Sequence, residues 1–402
     1  MRIKFADLAS QNAEIHERVE RELTAIHLET AYVGGSQIQA FEQEFAAFLG
    51  VRHVVSVGSG TDALRLALLA AGVGPGAEVI TTPMTFIATV AAIRQAGARP
   101  TLVDIDSDTC NLSPRALRRH LEERHRRSPY GPRVIVPVHL YGLPAAMREI
   151  QEIAVEFGMR IVEDACQAHG ASFYDGQRWR FAGTFGAAGC FSFYPGKNLG
   201  GWGDGGAVAS DDDELAERVR MLRDHGRISH YAHQEYGYNS RLDTIQAAVL
   251  RAKLERLPEW NRRRREVAEA YCELLGASDL DLPFEPEGFS SVYHLFAIRS
   301  PQRDAIRQML LSKNIECGIH YPVPLHLQPA CRDLGYRQGD FPVSEHIADT
   351  ELSLPMHPHL TDSEVRQVAE VVVEALEQNS TLFAGEHDQS PAISTLPPEH
   401  GE

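Results

Sequence analysis

One lysine of this chain lies in a segment of aromatic and small residues that is not typical of the surroundings of a surface lysine. Lys197 follows an aromatic cluster, Phe191 to Tyr194, and precedes a glycine-rich run that ends at Gly206. Burial in such a loop lowers the pKa of an amine and leaves it nucleophilic at neutral pH. The segment therefore predicts a lysine that meets a planar ligand, and the alternative interpretation is a solvated loop lysine.

A second candidate is a carboxylate at the end of an apolar strand. Ile161 and Val162 lead directly into Glu163 and Asp164. Ligands bind beyond the carboxyl ends of the strands of a parallel sheet. Asp164 could there bind a metal, bind a ribose or pair with a protonated heterocyclic nitrogen, and the metal is disfavoured because no second acidic cluster is present. The structural alternative is an aspartate that caps the next helix.

A third candidate is a turn of small residues between a strand and a helix, at residues 56–64. Gly58, Ser59 and Gly60 expose backbone N–H groups at the positive end of a helix, which is a natural site for phosphate. Thr61 adds a hydroxyl. Taken alone, the segment is equally compatible with a plain tight turn.

The three elements together are the requirements of pyridoxal 5'-phosphate. The lysine holds the cofactor's aldehyde as a Schiff base, and the aspartate keeps the ring nitrogen protonated so that the ring accepts electrons. The turn and Ser192 hold the phosphate, while Phe86 stacks on the ring. Their order along the chain, with the turn first, then Phe86, Asp164 and Lys197, places them on successive strand ends.

These residues must be positioned by an α/β fold, because short apolar runs alternate with amphipathic segments up to about Ser210. The candidate strands cover residues 53–57, 78–82, 99–104, 133–138, 160–163, 189–193 and 206–209. The candidate helices between them cover residues 62–71, 86–96, 113–126 and 145–157. Continuous Val/Ile-rich strands that alternate with helices predict a largely parallel sheet covered on both faces.

The second half of the chain predicts a smaller α+β domain. Helices are predicted at 243–257, 259–275, 303–313 and 364–376, and strand-like segments at 291–299 and 315–320. The final residues contain little that could form a core and are predicted to be disordered.

Composition excludes several classes of function. The chain has 402 residues and a formal net charge of −16, so binding of a nucleic acid is improbable. No apolar run approaches the ~20 residues that a membrane helix needs, and the N-terminus does not resemble a signal peptide. The six cysteines are too dispersed for a disulfide framework and no histidine spacing predicts a metal site. We expect a cytoplasmic protein with no bound metal and no membrane partner.

Four motifs resemble the DegT/StrS-type nucleotide-sugar aminotransferases. They are Gly-Thr-Asp-Ala-Leu at 60–64, Pro-Met-Thr-Phe at 83–86, Glu-Asp-Ala-Cys-Gln-Ala-His-Gly at 163–170 and Ser-Phe-Tyr-Pro-Gly-Lys-Asn-Leu at 192–199. The resemblance runs from about residue 5 to about residue 356. It implies a fold-type-I aminotransferase with a mostly parallel seven-stranded sheet, and a homodimer that shares its active sites. The expected division is an N-terminal segment packed on the small domain at 1–25, a large cofactor domain at 26–245, a small domain at 246–378 and a disordered tail at 379–402.

The same resemblance assigns cofactor contacts to individual residues. Lys197 would bind the cofactor covalently and shuttle the proton, and Asp164 would pair with the ring nitrogen. Gln167 would contact the ring hydroxyl, and Phe86 would stack on the ring. Phosphate binding would fall to Gly60, Thr61, Ser192 and, from the neighbouring subunit, Asn239.

Substrate contacts are implied by two further segments. Residues 237–243 resemble the family segment that carries Asn239, and they make Arg241 a candidate for the carboxylate of an amino donor. Residues 318–330 resemble the subgroup that aminates 3-keto-6-deoxy sugars on a thymidine diphosphate carrier. Tyr194 and Tyr321 would line the sugar site there, with His320 and His326 as further candidates. Alternatively, Arg241 forms a helix-start ion pair and the two histidines are structural.

The predicted function is transfer of the amino group of L-glutamate to a nucleotide-linked keto sugar, most specifically a dTDP-3-keto-6-deoxyhexose. Three alternatives remain at this point. The acceptor could be a UDP-linked 3-keto uronic acid derivative or a keto-cyclitol, or the protein could be a non-catalytic regulator that binds a ligand on the same fold. Loss of Lys197 or Asp164 would favour the regulator, and both residues are present.

Overall fold

The computed structural model describes residues 2–127 and 134–386. The helices of these residues are α1 Leu8–Glu29, α2 Ser36–Leu49, α3 Gly60–Ala70, α4 Ile87–Gln95, α5 Pro114–Arg127, α6 Met147–Glu156, α7 Asp213–Arg223, α8 Thr244–Leu254, α9 Leu257–Leu275, α10 Arg303–Ser312, α11 Pro342–Thr350 and α12 Asp362–Glu386. The strands are β1 His53–Val57, β2 Glu78–Thr81, β3 Arg99–Leu102, β4 Val134–Ile135, β5 Arg160–Asp164, β6 Ser172–Tyr174, β7 Trp179–Phe181, β8 Ala188–Ser192, β9 Gly206–Ser210, β10 Phe289–Ser290, β11 Phe296–Arg299 and β12 Glu351–Leu354.

A seven-stranded sheet forms the centre of the large domain, in the order β1-β9-β8-β5-β4-β2-β3. Strand β9 runs antiparallel to β1 and β8, whereas the pairs β8–β5, β5–β4, β4–β2 and β2–β3 are parallel. This confirms the predicted α/β class and the mostly parallel sheet. Every strand except β9 therefore has its carboxyl end at the same edge.

Helices cover both faces of the sheet because successive strand residues point to opposite sides. In β5, Val162 packs in the cluster that includes Leu64 of α3 and Val219 of α7. Its neighbour Ile161 packs on the other face with Leu117 of α5 and Ile150 of α6. Burial on both faces explains why these strands are continuously apolar in the sequence.

The small domain is built around β11 and β12, which pair with each other antiparallel. Phe296 of β11 packs with Tyr271 of α9 and Val368 of α12. Ile3 joins the same cluster and forms a bridge with Ile315. The first residues of the chain thus pack on this domain.

Helix α8 lies almost entirely after the expected domain boundary at residue 245, but it packs on the large domain. Its residue Leu250 lies in one cluster with Phe41 of α2 and Phe193, next to the central sheet. Val249 of the same helix packs on Ile15 of α1. By packing, the change from one core to the other falls within α9, because Leu257 belongs to the large-domain cluster and Val267 to the small-domain cluster.

Element bounds differ from the sequence predictions mainly at their ends. Strand β4 covers only Val134–Ile135, and residue 133, where this strand was predicted to begin, lies outside the described residues. The predicted strand at 315–320 was wrong, since it makes isolated bridges and no regular strand. Helix α12 continues to Glu386, past the expected start of the tail, and residues 387–402 lie outside the described residues. The small sheet β10-β6-β7 was not predicted.

None of the helices in the described part of the chain is both long and apolar enough to cross a membrane.

Candidate active site

The ends of β1 and β8 meet at one residue of the antiparallel strand between them. Val57 and Ser192 both pair with Gly206 of β9. On the other side of β8, Cys190 pairs with Asp164 at the end of β5. The turn before α3, Asp164 and the loop that carries Lys197 are therefore brought to one edge of the sheet, as the sequence predicted.

The turn before α3 forms a cradle of small residues. Ser59 caps the helix, since its side chain accepts a hydrogen bond from the N–H of Asp62 at 3.1 Å. A Cβ atom on Gly60 would lie 2.5 Å from Cβ of Ser192 and 3.1 Å from Sγ of Cys166. Only glycine fits this close approach, which brings the first N–H groups of the helix next to the Ser192 hydroxyl. The N–H groups of a first helical turn have no partner within the helix and bind anions.

Lys197 follows this cradle in the chain and its side chain is partly buried. Burial lowers the pKa of its amine, and the nearby Cys166 and Asp164 oppose that shift only in part. In the described residues the amine has no hydrogen-bond or ion-pair partner. Such an amine is available for covalent chemistry, since a larger neutral fraction is present near pH 7.

Asp164 is held by donors from two directions and is only 5% exposed. The Thr89 hydroxyl donates to its Oδ2 at 2.8 Å, and the N–H of Cys166 donates to its Oδ1 at 3.2 Å. The Thr85 hydroxyl lies 2.9 Å from the Thr89 hydroxyl and extends this hydrogen-bond network. These hydrogen bonds fix the orientation of the carboxylate, which suits a partner for a protonated ring nitrogen.

Gln167 and Phe86 meet at Tyr321. The Gln167 amide donates to the Tyr321 hydroxyl at 3.2 Å, and its own oxygen accepts from the N–H of Tyr141 at 2.7 Å. The Phe86 ring lies 5.9 Å from the Tyr321 ring, centroid to centroid. Phe86 precedes α4 and is 54% exposed, so an aromatic face is open beside the Asp164 network.

His320 adjoins the cluster, because its carbonyl oxygen accepts from the hydroxyl of Tyr141, whose N–H donates to Gln167. Burial and, secondarily, the Lys197 charge lower the pKa of its ring to about 4. Tyr194 and Asn239 are exposed side chains of two loops of the large domain. The backbone N–H of Tyr194 lies 3.4 Å from the Ser192 hydroxyl. Arg241 pairs with Asp224 at 3.3 Å, the ion pair that was its alternative interpretation.

His326 contacts a different set of residues. Its Nε2 lies 2.9 Å from the carboxylate of Glu345, and its ring packs edge-on against Phe341. The residue is only 2% exposed. This geometry matches the structural interpretation of His326.

Several residues of the site were missed by the sequence analysis. Thr89 holds Asp164, and Tyr141 joins Gln167 to His320. His294 is a partly exposed residue whose pKa is well below its ordinary value, because of burial first and the Lys197 charge second. Only Thr89 left a usable signal, since it lies three residues after Phe86, in the first turn of α4.

A sheet of this order, with a lysine loop, a strand-end aspartate and a small-residue cradle at one edge, defines a fold-type-I aminotransferase. The chain belongs to the DegT/DnrJ/EryC1/StrS aminotransferase family, whose family model matches residues 13–373. The enzymes of this family use pyridoxal 5'-phosphate. The chain is accordingly an aminotransferase with that cofactor.

Two relatives and one solved structure illustrate the similarity. A dTDP-3-amino-3,4,6-trideoxy-alpha-D-glucose transaminase of Streptomyces venezuelae is 41% identical over 94% of this chain and 97% of its own length. A UDP-N-acetyl-3-dehydro-alpha-D-glucosamine 3-aminotransferase of Acidithiobacillus ferrooxidans is 41% identical over 92% of this chain and 97% of its own. The crystal structure of S. venezuelae DesV in complex with a ketimine intermediate matches with a TM-score of 0.88 at 41% identity, over 94% of this chain and 99% of that one.

The described side chains fit the cofactor in three respects. The cradle at Gly60 admits no side chain, which keeps the first N–H groups of α3 beside the Ser192 hydroxyl. The Lys197 amine is partly buried and has no hydrogen-bond or ion-pair partner in the described residues, and the Asp164 carboxylate is fixed by Thr89 on the same sheet edge.

Proposed function

We propose that this aminotransferase transfers the amino group of L-glutamate to C3 of a nucleotide-linked 3-keto sugar, most specifically a dTDP-3-keto-6-deoxyhexose. The observation that carries the proposal is the Lys197 amine, which is partly buried and has no partner among the described residues, on the same sheet edge as Asp164 and the cradle. The choice of sugar position is supported by the two relatives, whose names both place the amino group at C3.

Each cofactor contact in this proposal uses a side chain whose environment suits the task. When bound, pyridoxal 5'-phosphate supplies an electrophilic carbonyl and an electron-accepting ring. Lys197 holds that carbonyl, and Asp164 keeps a proton on the ring nitrogen, with Thr89 fixing the carboxylate. Phe86 covers one face of the ring and Gln167 contacts its hydroxyl. The phosphate is bound by Gly60, Thr61 and Ser192.

Lys197 also moves the proton in both halves of the reaction. Within each half-reaction its amine accepts a proton at Nζ and returns one, first with glutamate as the amino donor and then with the sugar as the acceptor. A base works best when its pKa lies near the working pH, and burial lowers the pKa of Lys197 in that direction.

Tyr194, His320 and Tyr321 line the proposed sugar site beside the Lys197 loop. Arg241 binds the carboxylate of glutamate, for which it must exchange its present partner Asp224. We leave His326 out of the site because its ring nitrogen is bonded to Glu345.

The active form in this proposal is a homodimer in the cytoplasm. Asn239 is exposed in the single chain, which suits a residue that reaches the phosphate bound by the neighbouring subunit. Its substitution by Ala should weaken cofactor binding in the dimer and leave the fold of each subunit unchanged.

Turnover with a panel of keto sugars tests the proposed reaction. The purified enzyme is incubated with ¹⁵N-labelled L-glutamate and dTDP- or UDP-linked 3-keto sugars, a UDP-linked 3-keto uronate or a keto-cyclitol, and product nitrogen is located by NMR. Labelled nitrogen at C3 of the dTDP-linked sugar is expected. Faster turnover of a UDP-linked sugar or the cyclitol would contradict the carrier assignment, and no turnover with any acceptor would favour the regulator.

A further inference from the structure

His320 is held at every polar atom except one. Its N–H donates to Oε2 of Glu351 at 2.6 Å, and its carbonyl oxygen accepts from the Tyr141 hydroxyl. Its ring nitrogen Nδ1 lies 2.9 Å from the Ser353 hydroxyl. The ring also stacks on Phe5, with centroids 5.7 Å apart and planes 13° from parallel. In the part of the chain that the structure describes, Nε2 has no partner.

The direction of each hydrogen bond follows from the donors available. The Ser353 hydroxyl lies within bonding distance of Oε1 of Glu351. Burial raises the pKa of Glu351 to about 7, so at pH 8 its carboxylate is mostly ionised. An ionised carboxylate only accepts, so Ser353 must then donate its single hydrogen to Glu351. Ser353 can then only accept from His320, which places a hydrogen on Nδ1. Burial and, secondarily, the Lys197 charge lower the pKa of His320 to about 4, so the ring is neutral at pH 7 and Nε2 carries a lone pair.

His320 borders the proposed active site. Tyr141 donates through its N–H to Gln167 and through its hydroxyl to the His320 carbonyl. The next residue, Tyr321, contacts both Gln167 and Phe86. Glu351 and Ser353 belong to β12 of the small domain and are fully buried. They can reach a substrate only through His320.

We propose that Glu351 and Ser353 are positioning residues that fix the Nδ1–H tautomer of His320, so that Nε2 accepts a hydrogen bond from a hydroxyl of the keto sugar. The inference rests on the proposed function and adds a rule of specificity to it. A site built to accept a hydroxyl hydrogen discriminates strongly against an analogue that lacks this group.

The substitution Glu351→Gln reverses the hydrogen-bond chain without removing it. The amide oxygen of the new side chain accepts from the His320 N–H, and its NH₂ group donates to Ser353. The Ser353 hydroxyl then donates to Nδ1, and the ring hydrogen moves to Nε2. Glu78→Gln is the matched control, because Glu78 also accepts from a hydroxyl, that of Thr101, but lies at the amino end of β2.

NMR of the ¹⁵N-histidine-labelled holoenzyme at pH 8, where Glu351 is ionised, reports the tautomer directly, with His320→Gln used for assignment. We expect Nδ1–H in the wild-type protein and in Glu78→Gln, and Nε2–H in Glu351→Gln. In rapid-mixing absorbance experiments, the rate of the keto-sugar half-reaction should fall at least tenfold in Glu351→Gln. The glutamate half-reaction should stay within about twofold, which a merely structural defect would not allow.

Ser353→Ala and Ser353→Thr give a second route if Glu351→Gln folds poorly. The alanine variant should lose the keto-sugar half-reaction selectively, and the threonine variant should retain it because the hydroxyl is kept. Nε2–H in the wild-type ring, an unchanged tautomer in Glu351→Gln, or equal loss of both half-reactions would overturn the inference. If the wild-type enzyme accepts no keto sugar, the proposed function fails, while the NMR comparison still decides the tautomer.

Discussion

The substitution Gly60→Ala tests the cradle most sharply, because the structure gives the size of the clash. The new Cβ would lie 2.5 Å from Cβ of Ser192, whereas carbon atoms pack at roughly 3.5–4.0 Å. The helix start and the end of β8 must therefore separate by roughly 1 Å. Overpacking of this kind costs about 1–3 kcal/mol.

The cost should appear as lost cofactor affinity, since the displaced N–H groups and the Ser192 hydroxyl are the proposed phosphate ligands. At ~1.4 kcal/mol per tenfold change, affinity should fall about fivefold to a hundredfold. Binding of pyridoxamine 5'-phosphate by the apoenzyme, followed by calorimetry, measures this without the covalent bond to Lys197.

Gly74→Ala is the matched control, because a Cβ on Gly74 meets no atom within 4 Å. It should bind the cofactor like the wild-type protein. The combined variant Gly60→Ala/Ser192→Gly removes the clashing carbon and should recover part of the lost affinity. Wild-type affinity in Gly60→Ala, or equal loss in Gly74→Ala, would refute the assignment of the cradle.

Two further predictions concern buried polar groups. Thr89→Val removes the hydroxyl that donates to Asp164 at 2.8 Å. Because a hydrogen bond to a charged group contributes about 1.5–3 kcal/mol, kcat should fall roughly tenfold or more. Thr81→Val, which removes a buried hydroxyl bonded only to the carbonyl of Val136, should leave kcat unchanged, and equal losses would argue against Thr89. Lys253 is 2% exposed without a partner in the described residues, and burial lowers the pKa of its amine from 10.5 to about 8. At ~1.36 kcal/mol per pKa unit, the protonated Lys253 amine lowers the free energy of unfolding by at most about 3 kcal/mol below pH 8. This loss of stability disappears as the pH rises towards 10.5. Lys253→Met should accordingly raise the free energy of unfolding in urea by about 1–3 kcal/mol at pH 7 and by little at pH 10.5, whereas a loss at pH 7 would indicate an ion-pair partner in the assembled protein.

The sequence predicted the parts of the site that are local in the chain. The lysine loop, the strand-end Asp164 and the turn at Gly60 are recognisable because each motif combines an apolar strand with the residues that follow it. Their meeting at one edge follows from the parallel order of the strands.

The supporting residues could not be predicted in the same way. Thr89 reaches Asp164 from another helix, and Glu351 reaches His320 from β12, so their roles depend on how distant segments pack. His326 lies in a motif that resembles a substrate-binding segment, and its ring nitrogen lies within hydrogen-bond distance of Glu345, which favours the structural alternative that the sequence had left open. Short strands such as β6 and β7 have too few residues to show a period.

The measurement that tests the account most directly is the position of the covalent bond to the cofactor. Borohydride reduction of the holoenzyme, followed by peptide mass spectrometry, should place the phosphopyridoxyl group on Lys197, and the visible absorbance band should shift when L-glutamate is added. Lys197→Ala should be colourless and unlabelled. A label on another lysine, or a yellow Lys197→Ala protein with a reducible cofactor bond, would contradict the account.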